Sequence, residues 1–330
     1  MNQLNIFYEE PDPDRWFRYD RFPRKFIRRI IRGPEPIGGV KRWFVNLCAG
    51  LDKLGIPYSI NDYKSLKKNP NEWAMVIGKP HVIEKIPDTN PIIYGPAIAS
   101  HPLENNFWST KTNIKHLLIS SEWFKEMYDR DLPVKINTSI WPSGIDTDLW
   151  KPLPDKQRTH KFLIYDKIRW DRGEYQNTLI KKITERLESE KIEIEYLRYG
   201  SYKEENFWKI LNDVDAMIFL CEHETQGFAY LQALSKDVPI LAWDRRGYWQ
   251  DPDFYPDKVK FRPVSSVPYW DETCGSKFKD ADEFTVIFSD FVKKLRNNQF
   301  SPRSYVLKNL TLEKCALGYY EISQAIKYNT

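Results

Sequence analysis

Residues 216–243 read AMIFLCEHETQGFAYLQALSKDVPILAW and predict a strand, a loop, a helix and a second strand. Ala216–Leu220 and Pro239–Trp243 are continuously apolar, which is typical of parallel strands that are covered on both faces. Phe228–Ser235 has helical periodicity. Two parallel strands joined by a helix predict an α/β fold.

The same alternation of short apolar runs and longer amphipathic stretches continues along the whole chain. The predicted strands form two series: Leu4–Tyr8, Tyr58–Asn61, Ala74–Ile77, Ile92–Tyr94, His116–Ser120 and Ile136–Trp141, then Lys161–Tyr165, Ile192–Leu197, Ala216–Leu220, Pro239–Trp243 and Val259–Phe261. The predicted helices are Val40–Leu54, Glu122–Tyr128, Asn177–Glu188, Glu204–Leu211, Phe228–Ser235, Glu283–Leu295 and one that starts at Ser301-Pro302. The polar segment Gly144–Pro154 separates the series. We therefore expect two doubly wound domains, residues 1–150 and 151–310, with ligands beyond the carboxyl ends of the strands.

Composition narrows the class of protein. An apolar content of 41% excludes a disordered or fibrous chain, and a net charge of +4 with both signs widely spread argues against a nucleic-acid partner. The four cysteines lie far apart with no C-x-x-C pair, which favours reduced thiols. The first ten residues lack a signal-peptide pattern, and no run of about 18 apolar residues occurs. We expect a cytoplasmic protein.

The loop from Glu224 into the helix carries the strongest chemical signal. The Glu224 carboxylate is suited to hydrogen-bond sugar hydroxyls, and Gly227 permits a tight turn before Phe228. Backbone N–H groups at the start of a helix can hold a phosphate. Gln232, one or two turns further, could reach a ribose. The alternative is an ordinary capped helix with a solvated glutamate.

A second loop, Lys167-Ile-Arg-Trp-Asp-Arg172-Gly173, follows the strand Lys161–Tyr165. Lys167 and Arg172 could neutralise a diphosphate and stabilise it as it leaves. They could equally be surface charges paired with Asp166 and Asp171.

In the first half, Gly38-Gly39 precedes a helix and could let the backbone approach a phosphate. His101 follows a predicted strand, so it could face a ligand, although a single histidine is more often structural. The remaining histidines show no metal-ligand spacing, and Asp146-Thr-Asp148 falls in the linker. We therefore expect no metal site.

Taken in order, these segments resemble the retaining glycosyltransferases with the GT-B fold (group 1, family 4-like). That group includes many lipopolysaccharide and glycolipid mannosyl- and glucosyltransferases. The resemblance is carried by Gly38-Gly39-Val40, Ile119-Ser-Ser-Glu-Trp-Phe124, Trp141-Pro-Ser-Gly144-Ile-Asp146-Thr-Asp-Leu-Trp150-Lys-Pro152, Leu234-Ser-Lys-Asp-Val-Pro239-Ile-Leu-Ala-Trp243 and Ser304–Tyr320. The third of these is similar to the family's N-G-I-D-x-x-x-F-x-P linker.

The resemblance implies two Rossmann-like domains that face each other across a cleft, with a terminal helix, residues 311–330, crossing back to the first. It implies that Lys167 and Arg172 take the places of the basic pair, usually Arg then Lys, that grips the donor diphosphate. Glu224 matches the first glutamate of the family's E-x7-E motif and is implied to contact the transferred sugar. Gln232 stands where the second glutamate is expected, which leaves nucleotide preference open. His101 matches the histidine near the donor sugar.

The implied activity is transfer of a hexose from a nucleotide-diphosphate sugar, UDP- or GDP-linked, to a glycan or lipid-linked acceptor. The resemblance further implies retention of anomeric configuration by front-face substitution, with no metal or other cofactor, in polysaccharide or glycolipid biosynthesis.

An insertion, residues 12–34, carries eight basic residues between Arg15 and Arg32 against Asp20, with an apolar stripe at helical spacing. This pattern predicts peripheral contact with an anionic membrane, binding of an anionic acceptor, or packing on the first domain. Two other functional classes stay open: a nucleotide-sugar epimerase or sugar phosphorylase of the same architecture, and a non-catalytic nucleotide-sugar-binding protein.

Overall fold

The computed structural model describes residues 2–11, 23, 38–78, 80–104 and 110–328. The predicted basic segment Arg15–Arg32 lies outside these residues, apart from Pro23. Contacts within the chain divide it into two compact units. The first comprises residues 1–119, 128–141 and 316–330, and the second comprises residues 120–127 and 142–315. Residues 142–150, placed in the first domain from the sequence, thus group with the second unit.

The first unit holds a six-stranded parallel sheet in the order β2-β1-β3-β4-β5-β6. Its strands are β1 Leu4–Phe7, β2 Tyr58–Ile60, β3 Ala74–Val76, β4 Ile92–Tyr94, β5 Ile114–Ile119 and β6 Asn137–Ile140. The helices of this part of the chain are α1 Gly39–Leu54, α2 Tyr63–Lys68, α3 Pro80–Ile83, the short 3-10 helix Pro102–Glu104, and α4 Glu122–Asp131, which is shared with the second unit.

The second unit holds a five-stranded parallel sheet in the order β11-β10-β9-β7-β8. Its strands are β7 Lys161–Asp166, β8 Glu193–Arg198, β9 Ala216–Leu220, β10 Ile240–Trp243 and β11 Gly275–Phe278. The helices that follow α4 are α5 Arg172–Tyr175, α6 Lys181–Ser189, α7 Glu204–Asp213, α8 Phe228–Ser235, α9 Ala281–Arg296, α10 Pro302–Asn309 and α11 Leu312–Tyr328. A π-helical turn, Gln176–Ile180, joins α5 to α6, and a 3-10 helix, Glu272–Cys274, precedes β11.

Both faces of the second sheet are covered, which explains why its strands are continuously apolar. All five residues of β9 are buried. Met217 and Phe219 pack into one hydrophobic cluster, whereas Ile218 and Leu220 pack into another. Because successive side chains point to opposite faces of a strand, two separate cores require an apolar residue at every position. The predicted α/β fold with two doubly wound sheets is confirmed.

One predicted strand is wrong. Val259–Phe261 lies in an irregular segment, and the fifth strand is instead β11, which pairs along one edge only, with β10. The polar Ser276 and Lys277 are tolerated there because an edge strand is only half covered.

The strand order places the loops after β7 and β9 at the point where the winding of the second sheet reverses. In both sheets the first strand lies between the second and the third. All strands are parallel, but the direction in which the chain winds across the sheet reverses between the first and third strands. In the second sheet these strands are β7 and β9, whose last residues, Asp166 and Leu220, are in register. Ligands of doubly wound sheets bind at this reversal. The residues directly after Asp166 and Leu220 therefore form the candidate site.

Candidate functional site

Two loops meet where β7 and β9 end. The β7 loop, residues 167–171, starts with a hydrogen bond from the Lys167 N–H to the Leu220 carbonyl of 2.7 Å. The β9 loop, residues 221–227, leads into α8. The structure therefore brings together two of the loops that the sequence singled out.

The Lys167 ammonium and the Glu224 carboxylate form an ion pair across these loops, and both side chains are mostly buried. The Lys167 Nζ also lies 4.4 Å from the centre of the Tyr199 ring. Burial opposes the charged form of Lys167, but the neighbouring Glu224 carboxylate outweighs burial and raises the pKa of Lys167 above its ordinary value. The pair is therefore a charged contact that joins the two loops.

His223 fixes the position of Arg169 beside this pair. The Arg169 Nη2 donates to the His223 carbonyl at 3.1 Å and lies 3.2 Å from the His223 Nδ1. Because arginine only donates, Nδ1 accepts, so the neutral ring carries its proton on Nε2. Burial, together with the positive charge of Arg169, holds the pKa of His223 well below its usual range. The ring is surrounded by Trp123, Trp170 and Trp249, with centroid distances of 5.6, 5.2 and 6.5 Å.

The Glu222 side chain binds backbone N–H groups of the β7 loop. Its Oε1 accepts from the N–H groups of Arg169 and Trp170 at 2.7 and 2.9 Å, and its side chain is completely buried. Glu222, His223 and Arg169 were not assigned a role from the sequence. Their signal was position, because each lies within three residues of the end of a buried strand.

Arg172 bonds Asp166 and Tyr196. Its Nε donates to Asp166 Oδ2 at 2.8 Å, and its Nη2 donates to the Tyr196 hydroxyl at 3.0 Å. Asp166 is fully buried and also accepts from Arg198 Nη1 at 2.8 Å. Two arginines, Arg172 and Arg198, thus neutralise the buried Asp166 carboxylate. An ion pair with Asp166 is the alternative to diphosphate binding that the sequence left open for Arg172.

The turn into α8 depends on Gly227. This residue has φ +78°, and a Cβ there would lie 2.1 Å from Cε1 of the buried Tyr230. Phe228 begins the helix, and Gln232 lies within it, 6% exposed. Gln226 ties the β9 loop to residue Ser143. Its Oε1 accepts from the Ser143 N–H at 3.1 Å, and its Nε2 donates to the Ser143 carbonyl at 3.2 Å.

The candidate residues of the first unit are Gly38, Gly39 and His101. Gly38 caps α1 and Gly39 begins it, and a Cβ on either would meet no atom within 4 Å. The His101 ring is fully buried, with Nε2 2.8 Å from Asp131 Oδ2, while Nδ1 accepts from the Leu103 N–H at 3.1 Å. Both ring nitrogens are therefore engaged within the first unit.

Two structural features are absent from the described residues. In those residues, no group of three or more histidine, cysteine, aspartate or glutamate side chains could hold a metal ion. None of the helices in the described ranges has the length and apolar character needed to cross a membrane.

No protein-family model matches the sequence, and no curated protein matches it significantly. Solved structures do match. Sucrose-phosphate synthase from Thermosynechococcus elongatus is 11% identical, with a TM-score of 0.57 over the full length of both chains. HepE of Anabaena in complex with UDP is 9% identical, with a TM-score of 0.57 over 98% of this chain and 100% of HepE. The lipopolysaccharide outer core galactosyltransferase WaaB is 10% identical, with a TM-score of 0.52 over 98% of this chain and 100% of WaaB.

Two further matches are longer proteins. The chain spans 59% of the matched GtfA/B chain and 58% of the pneumococcal O-GlcNAc transferase GtfA, each with a TM-score of 0.49. At identities near 10%, the similarity to the full-length neighbours establishes the fold, which is the two-domain α/β fold of GT-B glycosyltransferases.

Proposed function

We propose that this protein is a glycosyltransferase that takes a hexose from a nucleotide-diphosphate sugar. The observation that carries the proposal is the Lys167–Glu224 pair at the strand reversal of the second sheet. A cation for a diphosphate and a carboxylate for sugar hydroxyls stand side by side there. The crystal structures of HepE in complex with UDP and with UDP-glucose support a nucleotide-sugar donor for this protein.

In the proposed reaction, Lys167 holds the diphosphate and stabilises the negative charge that grows on it as the glycosidic bond breaks. Glu224 orients the sugar, and Gln232 reaches the ribose through its amide. We further propose that the anomeric configuration is retained, as the resemblance to the retaining GT-B glycosyltransferases implies. The leaving phosphate oxygen would take the proton of the acceptor hydroxyl. Lys167 then supplies the positive charge at the phosphate, so we propose that no metal is required.

The donor and acceptor belong to the same proposal. We propose a UDP- or GDP-linked hexose as donor and a glycan or lipid-linked acceptor, with the protein acting in the cytoplasm and resting on an anionic membrane through Arg15–Arg32. Co-sedimentation with vesicles with and without anionic lipid tests the last point. Absence of binding at low salt would contradict it.

The decisive experiment combines binding with turnover. Thermal unfolding is measured with UDP, GDP, ADP and their sugars, because a ligand at 100 times its dissociation constant stabilises by about 2.7 kcal/mol. The stabilising donor is then incubated with and without an acceptor mixture. Release of nucleoside diphosphate that depends on acceptor and disappears in Lys167→Met supports the proposal.

Two other outcomes identify the alternatives. A sugar that changes its configuration without acceptor would indicate an epimerase. The buried amide of Gln232, where the resemblance expects a carboxylate, favours a non-catalytic binding protein as second candidate. Stabilisation by a nucleotide sugar with no product under any acceptor would support that candidate.

A further inference from the structure

The first four N–H groups of the β7 loop, those of residues 167–170, already have acceptors within the protein. The Lys167 N–H bonds the Leu220 carbonyl, and the Ile168 N–H bonds Asp166 Oδ1 at 3.0 Å. The next two N–H groups, those of Arg169 and Trp170, share Glu222 Oε1. Doubly wound proteins often hold phosphates on backbone N–H groups at this place. Here all four are engaged, so an anion beside residues 167–170 would be held mainly by side chains.

Three cationic side chains belong to this loop and the start of α5, and they are not equivalent. Lys167 pairs with Glu224, the residue expected to touch the sugar. Arg172 is committed to the fully buried Asp166, and removing it would leave part of a buried negative charge uncompensated. Arg169 is bound less directly to a carboxylate, because its Nε lies 3.9 Å from Oε2 of the fully buried Glu222, which is longer than a hydrogen bond.

Contacts with neighbouring residues hold the Arg169 side chain in place. Its Nη2 is fixed by the His223 carbonyl and Nδ1, and its guanidinium carbon lies 4.2 Å from the centre of the Trp170 ring. Among the residues that the structure describes, no hydrogen bond uses its Nη1. A guanidinium fixed at one end, with donors remaining at the other, is preorganised to bind an anion.

We propose that Arg169 is the second cation of the donor site, binding the diphosphate together with Lys167, and that Glu222 is its positioning residue. The inference rests on the proposed function and names the residues that recognise the diphosphate. Arg172, the residue expected from the resemblance, is then a residue of the fold that balances Asp166. Glu222 acts indirectly, because its carboxylate holds the backbone of Arg169 and Trp170 against the β9 loop.

The test compares full-length Lys167→Met, Arg169→Met and Arg172→Met by calorimetric titration with UDP, GDP and inorganic pyrophosphate. A hydrogen bond to a charged group corresponds to a change of about 10- to 100-fold in affinity. We expect losses of that size for Lys167→Met and Arg169→Met. We expect Arg172→Met to bind within about twofold of the wild type, as for a residue away from the ligand. If Arg172→Met does not fold, Arg172→Lys is used in its place, because lysine keeps a positive charge beside Asp166.

Each other outcome has a distinct meaning. Loss of affinity in Arg172→Met and Arg172→Lys, with none in Arg169→Met, would overturn this inference and leave the proposed function intact. Failure of the wild type to bind any of the three probes would overturn both.

A double-mutant cycle tests the role of Glu222. If Glu222 acts through Arg169, then Glu222→Ala and Arg169→Met weaken pyrophosphate binding by similar factors, and the double variant is no weaker than either. Glu222→Gln keeps an oxygen for the two N–H groups and should restore most of the affinity. The positioning role would be contradicted if the losses of affinity in the two single variants multiplied in the double variant. It would also be contradicted if Glu222→Gln lost as much affinity as Glu222→Ala.

Discussion

The Lys167 ammonium forms an ion pair with the Glu224 carboxylate. A diphosphate that binds Lys167 must therefore compete with Glu224. We expect Glu224→Gln to bind UDP or GDP about fivefold more tightly, because removing the competing carboxylate releases an interaction of about 1 kcal/mol. We expect the same variant to lose nearly all sugar transfer.

Calorimetric titration and product assays measure the two effects in one preparation. Glu174→Gln, which removes an exposed carboxylate of α5, is the matched control and should change neither. Unchanged diphosphate affinity in Glu224→Gln would show that the pair does not control access to Lys167.

Gly227 and Gly39 provide a contrasting pair of glycines. Gly227→Ala places a Cβ on the Tyr230 ring at positive φ, so we expect unfolding to become easier by about 1–3 kcal/mol. Gly39→Ala meets no atom at the start of α1 and should be neutral or stabilising by up to about 1 kcal/mol. Denaturant unfolding measures both changes. Loss of donor binding in Gly39→Ala, with stability kept, would indicate that the first glycine loop approaches a ligand.

His101 should matter for stability. Its buried ring joins Asp131 to the Leu103 N–H, and His101→Ala leaves that N–H without its acceptor, while Asp131 keeps its ion pair with Arg130. We expect a loss of about 1–3 kcal/mol in the free energy of unfolding. Activity assays below the unfolding temperature supply the comparison. If the alanine variant were fully stable but more than 100-fold slower, the catalytic role implied by the resemblance would gain support instead.

His223 should make stability depend on pH. Its pKa is lowered in the folded protein by burial and by Arg169, so the unfolded chain takes up a proton that the folded protein does not. Stability contributed by the neutral ring is present above the unfolded pKa of about 6.5 and falls as the pH drops below it. Between pH 7.5 and 5.5, we expect the wild type to lose about 1 kcal/mol that His223→Gln does not lose. His160→Gln, at an exposed position, should follow the wild type.

Much of the fold was predictable because buried parallel strands leave a strong pattern. Every predicted strand except Val259–Phe261 corresponds to an observed one to within two residues at either end. The failure has a physical cause. β11 begins at Gly275, carries two polar residues and pairs on one edge, so it lacks the continuous apolar run that marks the central strands.

The candidate site was predictable only at the level of loops. Strand ends indicated the Lys167 and Glu224 loops, and these two residues do meet. Sequence spacing could not show that Asp166, the last residue of β7, would bind the Arg172 guanidinium. Nor could it show that His223 would hold Arg169, because this contact joins residues 54 positions apart in the chain and depends on the direction of both side chains.

The grouping of residues 316–328 with the first unit has a consequence for how the protein is made. Tyr319 packs against Trp141 with ring centroids 4.8 Å apart, and the Tyr320 hydroxyl accepts from the Asn2 N–H at 3.0 Å. A ribosome completes β6 long before it reaches these tyrosines. The nascent first unit must therefore wait, with the Trp141 surface uncovered, until the second unit has been synthesised.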